Sequence, residues 1–226
     1  MAEEENLLPE FQSRRPSSDL EYVYNALKQS FMMGEFVPGQ KLTLPVLANA
    51  FGTSQMPIRE ATNRLVVARA IESLPRRSLR VPEATLTRLD TLLPLRLQLE
   101  GEATRLATLS ASANLVKTLK AINEEMYSDE VLNDVKRFLR LNEQFHFTLY
   151  KQSNNEDLVD LIELLWMRYG PLMNIIRNCE MPYAGKTHHN ELIAAIEAGN
   201  ADDAKHAICE DIQEAANAIR KVIEQQ

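Results

Sequence analysis

From Asp19 onward, apolar residues recur at intervals of three and four: Leu20, Val23, Tyr24, Ala26, Leu27 and Phe31. That period predicts an amphipathic helix. Ser18 or Asp19 would cap its start, and Gly34 lies beyond its end. Val37-Pro38-Gly39 reads as a turn. A short second helix follows, with Leu44, Val46, Leu47, Ala50 and Phe51 as its apolar positions and Gly52 at the left-handed stop. Ser54 stands as the N-cap of a third helix, which has Pro57 in its first turn and buries Ile58, Ala61, Leu65 and Val66. Two short helices joined by a tight glycine turn predict a helix-turn-helix. The period then falls to two. Ala70–Leu74 and Leu79–Val81 alternate as strands, with Pro75-Arg76-Arg77-Ser78 as the hairpin tip, which predicts a wing. Residues 1–17 are polar and aperiodic and read as a flexible arm.

Past Pro82-Glu83-Ala84 the helical period returns and persists. Helices are expected at about 85–110, 112–127, 129–152, 155–178, 183–198 and 201–224, with Asn155 opening one and Gly199-Asn200 dividing the last two. The expected fold class is mainly α. A winged helix-turn-helix of three helices plus a β-hairpin wing spans 18–83, and an all-α helical bundle spans 84–226. No stretch of eighteen apolar residues occurs, so no spanning helix is expected. The acidic start MAEEENLLPEF does not read as a secretory signal. Cys179 and Cys209 form no CxxC pair and no disulfide framework, which points to a reducing cytoplasm.

Charge complicates this picture. The 226 residues carry 25 Lys+Arg against 32 Asp+Glu, a net charge of −7, which taken as an average speaks against nucleic acid as the partner. The distribution is uneven. Residues 1–83 hold ten basic and ten acidic side chains, so the excess acid lies in the later helices. Within 55–82, six arginines face only Glu60 and Glu72, a local +4. Ser54, Gln55 and Arg59 on the first turns of the third helix can reach base edges in a major groove, with Arg59 suited to a bidentate pair with guanine. Arg76 and Arg77 at the hairpin tip would meet phosphates or a minor groove. A solvated charged face on an ordinary small domain is the competing reading of the same run.

The order of residues resolves that competition. Gly34-Glu35-Phe36-Val37-Pro38-Gly39-Gln40-Lys41-Leu42, Leu47-Ala48, Phe51-Gly52-Thr53-Ser54, Pro57-Ile58-Arg59-Glu60-Ala61, Arg64-Leu65 and Leu74–Val81 together make residues 20–82 resemble the winged-helix domain of the GntR family of bacterial transcription regulators. The resemblance implies double-stranded DNA as a partner. It implies contacts from Ser54, Gln55 and Arg59, adds Arg64 as a candidate, and sends the tip with Arg76 and Arg77 into the minor groove. Four positions depart from the family. Gln55 stands where arginine is common, Pro45 where a charged DNA contact is frequent, Ser78 at the usual tip glycine, and Arg69 at a glycine before the wing.

In the helical half, Asn142 and His146 lie at i and i+4 and project from one helix face. His189 opens another helix, and Asp211 lies inside the last. His206, five residues before Asp211, points away from it. A hydrogen-bonded core histidine between Phe145 and Phe147 is the competing reading of His146, and surface positions are expected for His188 and His206. Leu95–Glu100, Asn142-x-x-Phe145-His146, Asn155-x-x-Leu158, Leu165-Trp166-x-Arg168 and the run from His189 to Gly199 resemble the FadR-type effector domain of the FCD subgroup. Many of its members hold a divalent metal on one aspartate and three histidines. Here the aspartate position reads Asn142 and the last histidine position reads Asp211, while His146 and His189 are kept. The ligand charge is −1 in either set, and the mixed nitrogen and oxygen donors suit Zn, Ni or Mn. Loss of the metal, with the polar residues binding effector directly, is the second option. Arg96 and Arg168 could fork a small carboxylate effector, or Arg96 could be tied to Glu100 or Glu102 in a salt bridge.

The combined reading is a ligand-responsive transcription regulator that binds a palindromic operator as a homodimer; the resemblance implies a repressor relieved by its effector as the commoner outcome, with promotion of DNA binding the alternative. A metal-dependent enzyme using His146, His189 and Asp211 is the rival from another class, although no HExxH, nucleophile elbow or P-loop supports it. A thiol switch through Cys179 and Cys209 is a second rival, without a basic setting for either thiol.

Overall fold

The computed structural model describes residues 19–74, 78–176 and 184–225. The first helix, α1, spans Asp19–Met32, and a two-residue strand β1 (Lys41–Leu42) follows. Thr43 then caps α2 (Leu44–Phe51) by accepting from the Val46 amide. Gly52 ends that helix in the left-handed region, at φ 63°, and its amide returns to the last carbonyls of the helix. Next come α3 (Gln55–Val67), β2 (Glu72–Leu74) and β3 (Ser78–Arg80). The three strands form an antiparallel sheet in the order β1-β3-β2, with Leu42 opposite Leu79 and Ser73 opposite Leu79 on the other side. Val23, Leu27, Phe31, Leu47, Ile58, Leu65 and Val81 fill the core beneath, and Phe31 stacks on Phe36 at 4.4 Å. This is a winged helix-turn-helix.

Among the described residues seven helices follow: α4 (Leu86–Leu109), α5 (Ala113–Met126), α6 (Asp129–Leu132), α7 (Val135–Lys151), α8 (Glu156–Asn174), α9 (Ala184–Glu197) and α10 (Ala201–Glu224). Thr85, Ser112, Ser128, Asp134, Asn155 and Asn200 each accept a backbone amide at the start of one of them, so the sequence marks most starts with a capping side chain. The long α10 packs along α4 and α9. At Gly101 of α4, an added Cβ would lie 3.2 Å from the Cys209 sulfur of α10, so the two helices sit close there.

Three sequence expectations need adjustment. The single helix expected over 129–152 is two: Asn133 bonds back to the Asp129 carbonyl and Asp134 caps a new start, so the chain breaks between α6 and α7. Strand β1 was not foreseen, because two residues show no period and become a strand only by pairing with β3. Ser54 does occupy the N-cap of α3, but its side chain makes no capping bond. The arm (1–17) and the hairpin tip with Arg76 and Arg77 lie outside the described residues, as does Cys179.

The two halves meet at α8. Gly170 lies against the last turn of α1, Asn174 donates to the Gly34 carbonyl at 2.7 Å, Arg168 donates to the Ala68 carbonyl at 2.7 Å, and Lys28 pairs with Glu163.

Candidate DNA interface and candidate metal centre

Helix α3 turns one face to solvent. Ser54, Gln55, Met56, Arg59, Glu60 and Asn63 are exposed, while Ile58, Ala61, Thr62 and Leu65 anchor the other face. Ser54 keeps its hydroxyl free of the cap, and Arg59 forms no ion pair among the described residues. Both can therefore face a ligand. Arg64 is placed differently: it bonds Glu21 of α1 at 2.8 Å and lies over the Tyr24 ring at 5.3 Å. It braces α3 against α1. Met56, which the sequence reading passed over, is 63% exposed, a large apolar side chain on the presented face.

The buried cluster is built by α7, α9 and α10. His146 (α7), His189 (α9) and Asp211 (α10) bring one ligand atom each to within 4.8 Å of one another. The outer partner of each ring fixes its tautomer. Tyr150 donates its one hydroxyl hydrogen to Glu100 at 2.7 Å, so the 3.0 Å contact to His146 Nδ1 requires the ring N–H to donate. Asn123 gives its amide N–H to Asn190, so its oxygen accepts from His189 Nδ1 at 3.0 Å. Both Nε2 atoms are then bare lone pairs. They lie 3.5 and 3.6 Å from the two Asp211 oxygens, and His189 Nε2 is buried without a partner. Burial lowers the His146 pKa to about 3, against the opposing pull of Asp211, so the ring is neutral at neutral pH. Burial raises the Asp211 pKa, but attraction to His189 and His146, felt when a ring carries an added proton, outweighs it and lowers the pKa. Three acceptors with no donor among them fit a divalent cation, and two imidazoles with one carboxylate are a donor set such ions accept. Asn142 lines the same cavity one turn before His146.

That cavity has a volume of about 80 Å³. Met32 and Met33, at the end of α1, form part of its wall beside Met173, Ile176 and Ile212. The sequence expectation did not reach these methionines. Arg96 also lines it, but its guanidinium is bound to both Glu100 oxygens, at 2.6 and 3.1 Å. Glu100 is fully buried and takes a further bond from Trp166 Nε1 at 2.9 Å. Of the alternatives left open for Arg96, its pairing is with Glu100. Glu102 instead bonds Arg105. Arg168 is not at the cavity; it joins α8 to the end of α3 through Ala68.

Comparison with known proteins decides the lineage. Residues 20–81 match the bacterial regulatory proteins of the gntR family, and residues 90–214 match the FCD domain. The chain belongs to the FCD-bearing branch of the gntR family. It is 29% identical over 195 residues to the HTH-type transcriptional regulator McbR of Escherichia coli (strain K12), covering 85% of this chain and 88% of that protein. It is 29% identical over 164 residues to the uncharacterized HTH-type transcriptional regulator YdhC of Bacillus subtilis (strain 168), covering 69% and 70%. It is 26% identical over 186 residues to the probable D-xylose utilization operon transcriptional repressor of Paenarthrobacter nicotinovorans, covering 80% and 81%. The solved structure of E. coli McbR/YncC superposes with a TM-score of 0.85 at 27% identity, over 91% of this chain and 99% of that one.

The chain is thus a DNA-binding transcription regulator of the gntR family with an FCD effector domain, and the enzyme reading is set aside, since its relatives are regulators. Family membership also gives meaning to one departure. Arg69, at which the resemblance leads one to expect glycine, adopts φ +57°, a left-handed backbone that glycine takes without strain. The thiol switch finds no support at Cys209: burial raises its pKa, and its thiol donates to the Leu97 carbonyl. No helix among the described residues is long and apolar enough to cross a membrane.

Proposed function

We propose that this protein is a metal-dependent, effector-responsive repressor acting in the cytoplasm as a homodimer on a palindromic operator. Its DNA-reading unit is residues 18–83 and its effector and dimerisation unit residues 84–226. Ser54, Gln55 and Arg59 read bases, and Arg76 and Arg77 at the wing tip meet the minor groove. Arg64 supports this surface through Glu21 and Tyr24. One winged helix reads too few bases for a tight site, so two related by a two-fold axis are needed.

The observation that carries the reading is a shared wall. The cavity beside His146, His189 and Asp211 is closed on one side by Met32, the last residue of α1, and by Met33 just beyond it. The same helix reaches the DNA-reading end through Asp19, which accepts from Thr53 at 2.8 Å, and through Glu21, which holds Arg64. A molecule filling the cavity touches the base of the rod on which α3 rests. It shifts DNA affinity only as far as it binds the two placements of α1 unequally.

A divalent ion (Zn, Ni or Mn) held by His146, His189, Asp211 and the Asn142 amide would supply positive charge for a small carboxylate effector. Within the chain, Tyr150 and Asn123 orient the two rings, the methionines exclude water, and Asp211 holds its negative charge between the rings. Arg96 holds Glu100, and through Glu100 and Tyr150 it steadies His146.

Selection of bound fragments from random DNA, followed by titration of the selected site, tests this. The expected result is a two-fold repeat that binds two chains, with an affinity that falls steeply with salt and changes when divalent metal is removed by chelation. A non-repeated site taken up by one chain, or an affinity indifferent to chelation, contradicts the proposal.

A further inference from the structure

Three arginines from both halves converge where the end of α3, the start of α4 and the middle of α8 meet. Arg69 follows the Ala68 cap of α3, in its left-handed backbone. Arg168 of α8 donates its Nε–H to the Ala68 carbonyl at 2.7 Å. Arg88, in the first turn of α4, donates a terminal N–H to the Arg168 carbonyl at 3.0 Å. These two bonds bring the arginines together across the junction of the winged helix and the bundle. Arg88 and Arg168 are half-buried there, and Arg69 is exposed.

Most of their donors are uncommitted. A guanidinium carries five N–H groups, and the two bonds to carbonyls take one each from Arg168 and Arg88. The Nε of Arg88 is buried with no hydrogen-bond partner. A charged donor withdrawn from water in this way is unfavourable until an acceptor meets it. The carboxylate that acts on Arg88, Glu72, is already bonded to Arg80 at 2.9 Å, and Glu83 lies 3.5 Å from the same Arg80. Among the described residues, no carboxylate pairs with Arg69, Arg88 or Arg168.

The three charges also act on one another. Burial, and then the Arg69 charge, lowers the Arg168 pKa. Burial lowers that of Arg88, Glu72 opposes this, and the Arg168 charge adds to the lowering. Like charges held together in a half-buried place draw in an anion. Its shape is constrained. A carboxylate offers two oxygens in one plane, a match for a single fork. Here the forks come from three elements and two domains, which suits an ion with acceptor oxygens on every side.

We propose that this junction is a second ligand site, which takes a tetrahedral oxoanion of the phosphate class between Arg69, Arg88 and Arg168. The bound ion fastens the turn between α3 and β2 to α4 and α8. The site lies apart from the cavity at His146 and needs neither the metal nor the carboxylate effector. A free ion is favoured over a phosphate of the duplex, because the face offered to DNA begins at Ser54, the opposite end of α3, roughly 20 Å along the helix.

The test is calorimetric titration of the full-length protein with sodium phosphate at neutral pH, beside sodium chloride of matched ionic strength. Wild type should bind phosphate saturably and melt at a higher temperature in phosphate than in chloride. Arg69→Gly and Arg88→Gln should each weaken phosphate binding about tenfold or more, as expected for loss of a hydrogen bond to a charged group. The His146→Ala/His189→Ala variant should keep wild-type phosphate binding, which separates this site from the metal cluster. No saturable binding, or wild-type binding in either folded arginine variant, overturns the proposal. So does loss of binding in the histidine variant alone, which would place the ion at the cluster. Weaker binding of random duplex by both arginine variants, with no phosphate effect, would assign these side chains to the DNA backbone and overturn it as well. If one variant does not fold, the others decide.

Discussion

Gly170 of α8 lies so close to Phe31 of α1 that a Cβ at Gly170 would sit 1.7 Å from the Phe31 carbonyl oxygen. No side chain at 170 can coexist with this approach, and the opposing element is backbone, which cannot rotate away. Gly34 shows the reciprocal fit, since its Cβ would lie 2.7 Å from the Gly170 oxygen. This is where the last turn of α1 is fastened beside the cavity.

Gly170→Ala must therefore push α1 off α8. Overpacking typically costs about 1–3 kcal/mol, and the upper end is expected because neither side can yield. Urea denaturation should show that loss. DNA binding measured on the same folded protein should persist while its response to chelation is lost, because α3 does not touch Gly170. Wild-type stability with a wild-type response to chelation would show that this contact does not couple the halves.

Arg69 offers the opposite case. A non-glycine residue in the left-handed region costs about 1–2 kcal/mol, partly offset by the greater freedom glycine loses on folding. Arg69→Gly should stabilise the protein by roughly 0.5–1 kcal/mol. Thermal melting checks this, and a lower melting temperature would mean that the Arg69 side chain contributes more than its backbone conformation costs.

Two arginines on α3 should separate in their effects. Arg59→Ala is expected to lose about 1–3 kcal/mol of affinity for the selected operator and to relax preference at one base pair. Arg64→Ala removes a half-exposed pair with Glu21, an interaction worth about 0.2–1 kcal/mol, and should weaken stability slightly with little change in base preference. Equal loss by Arg59→Ala on operator and random DNA would reduce Arg59 to a phosphate contact. Met56→Ala should weaken sites carrying thymine opposite that turn, through the lost methyl contact.

Acid stability of the metal-free protein follows from His146. The unfolded chain takes up a proton on this side chain near 6.5, while the folded chain takes it up only at about 3. The unfolded state binds more protons between those values, so stability present above pH 6.5 is lost as pH falls toward 3, at up to roughly 1.4 kcal/mol per pH unit. Asp211, held below its ordinary value, adds loss in the same direction at lower pH. His146→Gln should flatten the slope between pH 6.5 and 4 in urea titrations. An unchanged slope would mean that His146 is not the group being protonated.

Much of the fold was legible in the sequence because its signals are local. Three- and four-residue spacing marked α1, α4 and α8, and Gly52 and Asn155 marked a stop and a start. The break between α6 and α7 was missed because Asn133 and Asp134 sit in a run whose apolar period continues across them. Candidate ligands His146, His189 and Asp211 came from resemblance, and three helices bring them together. What surrounds them was not legible. Met32 and Met33 read as the unremarkable end of an amphipathic helix, and only the docking of α1 on α8 makes them a cavity wall. Arg96 and Glu100 are an ordinary i,i+4 pair in sequence. Their burial with Tyr150 and Trp166 turns them into a device for cancelling charge.

Two bare imidazole nitrogens, 3.5 and 3.6 Å from the oxygens of Asp211, form the cluster proposed to hold a divalent cation. Elemental analysis of the purified full-length protein beside the His146→Ala/His189→Ala variant measures this directly. One equivalent of Zn, Ni or Mn per chain in the wild type and nearly none in the variant is the result expected. Equal metal in both proteins would contradict the site.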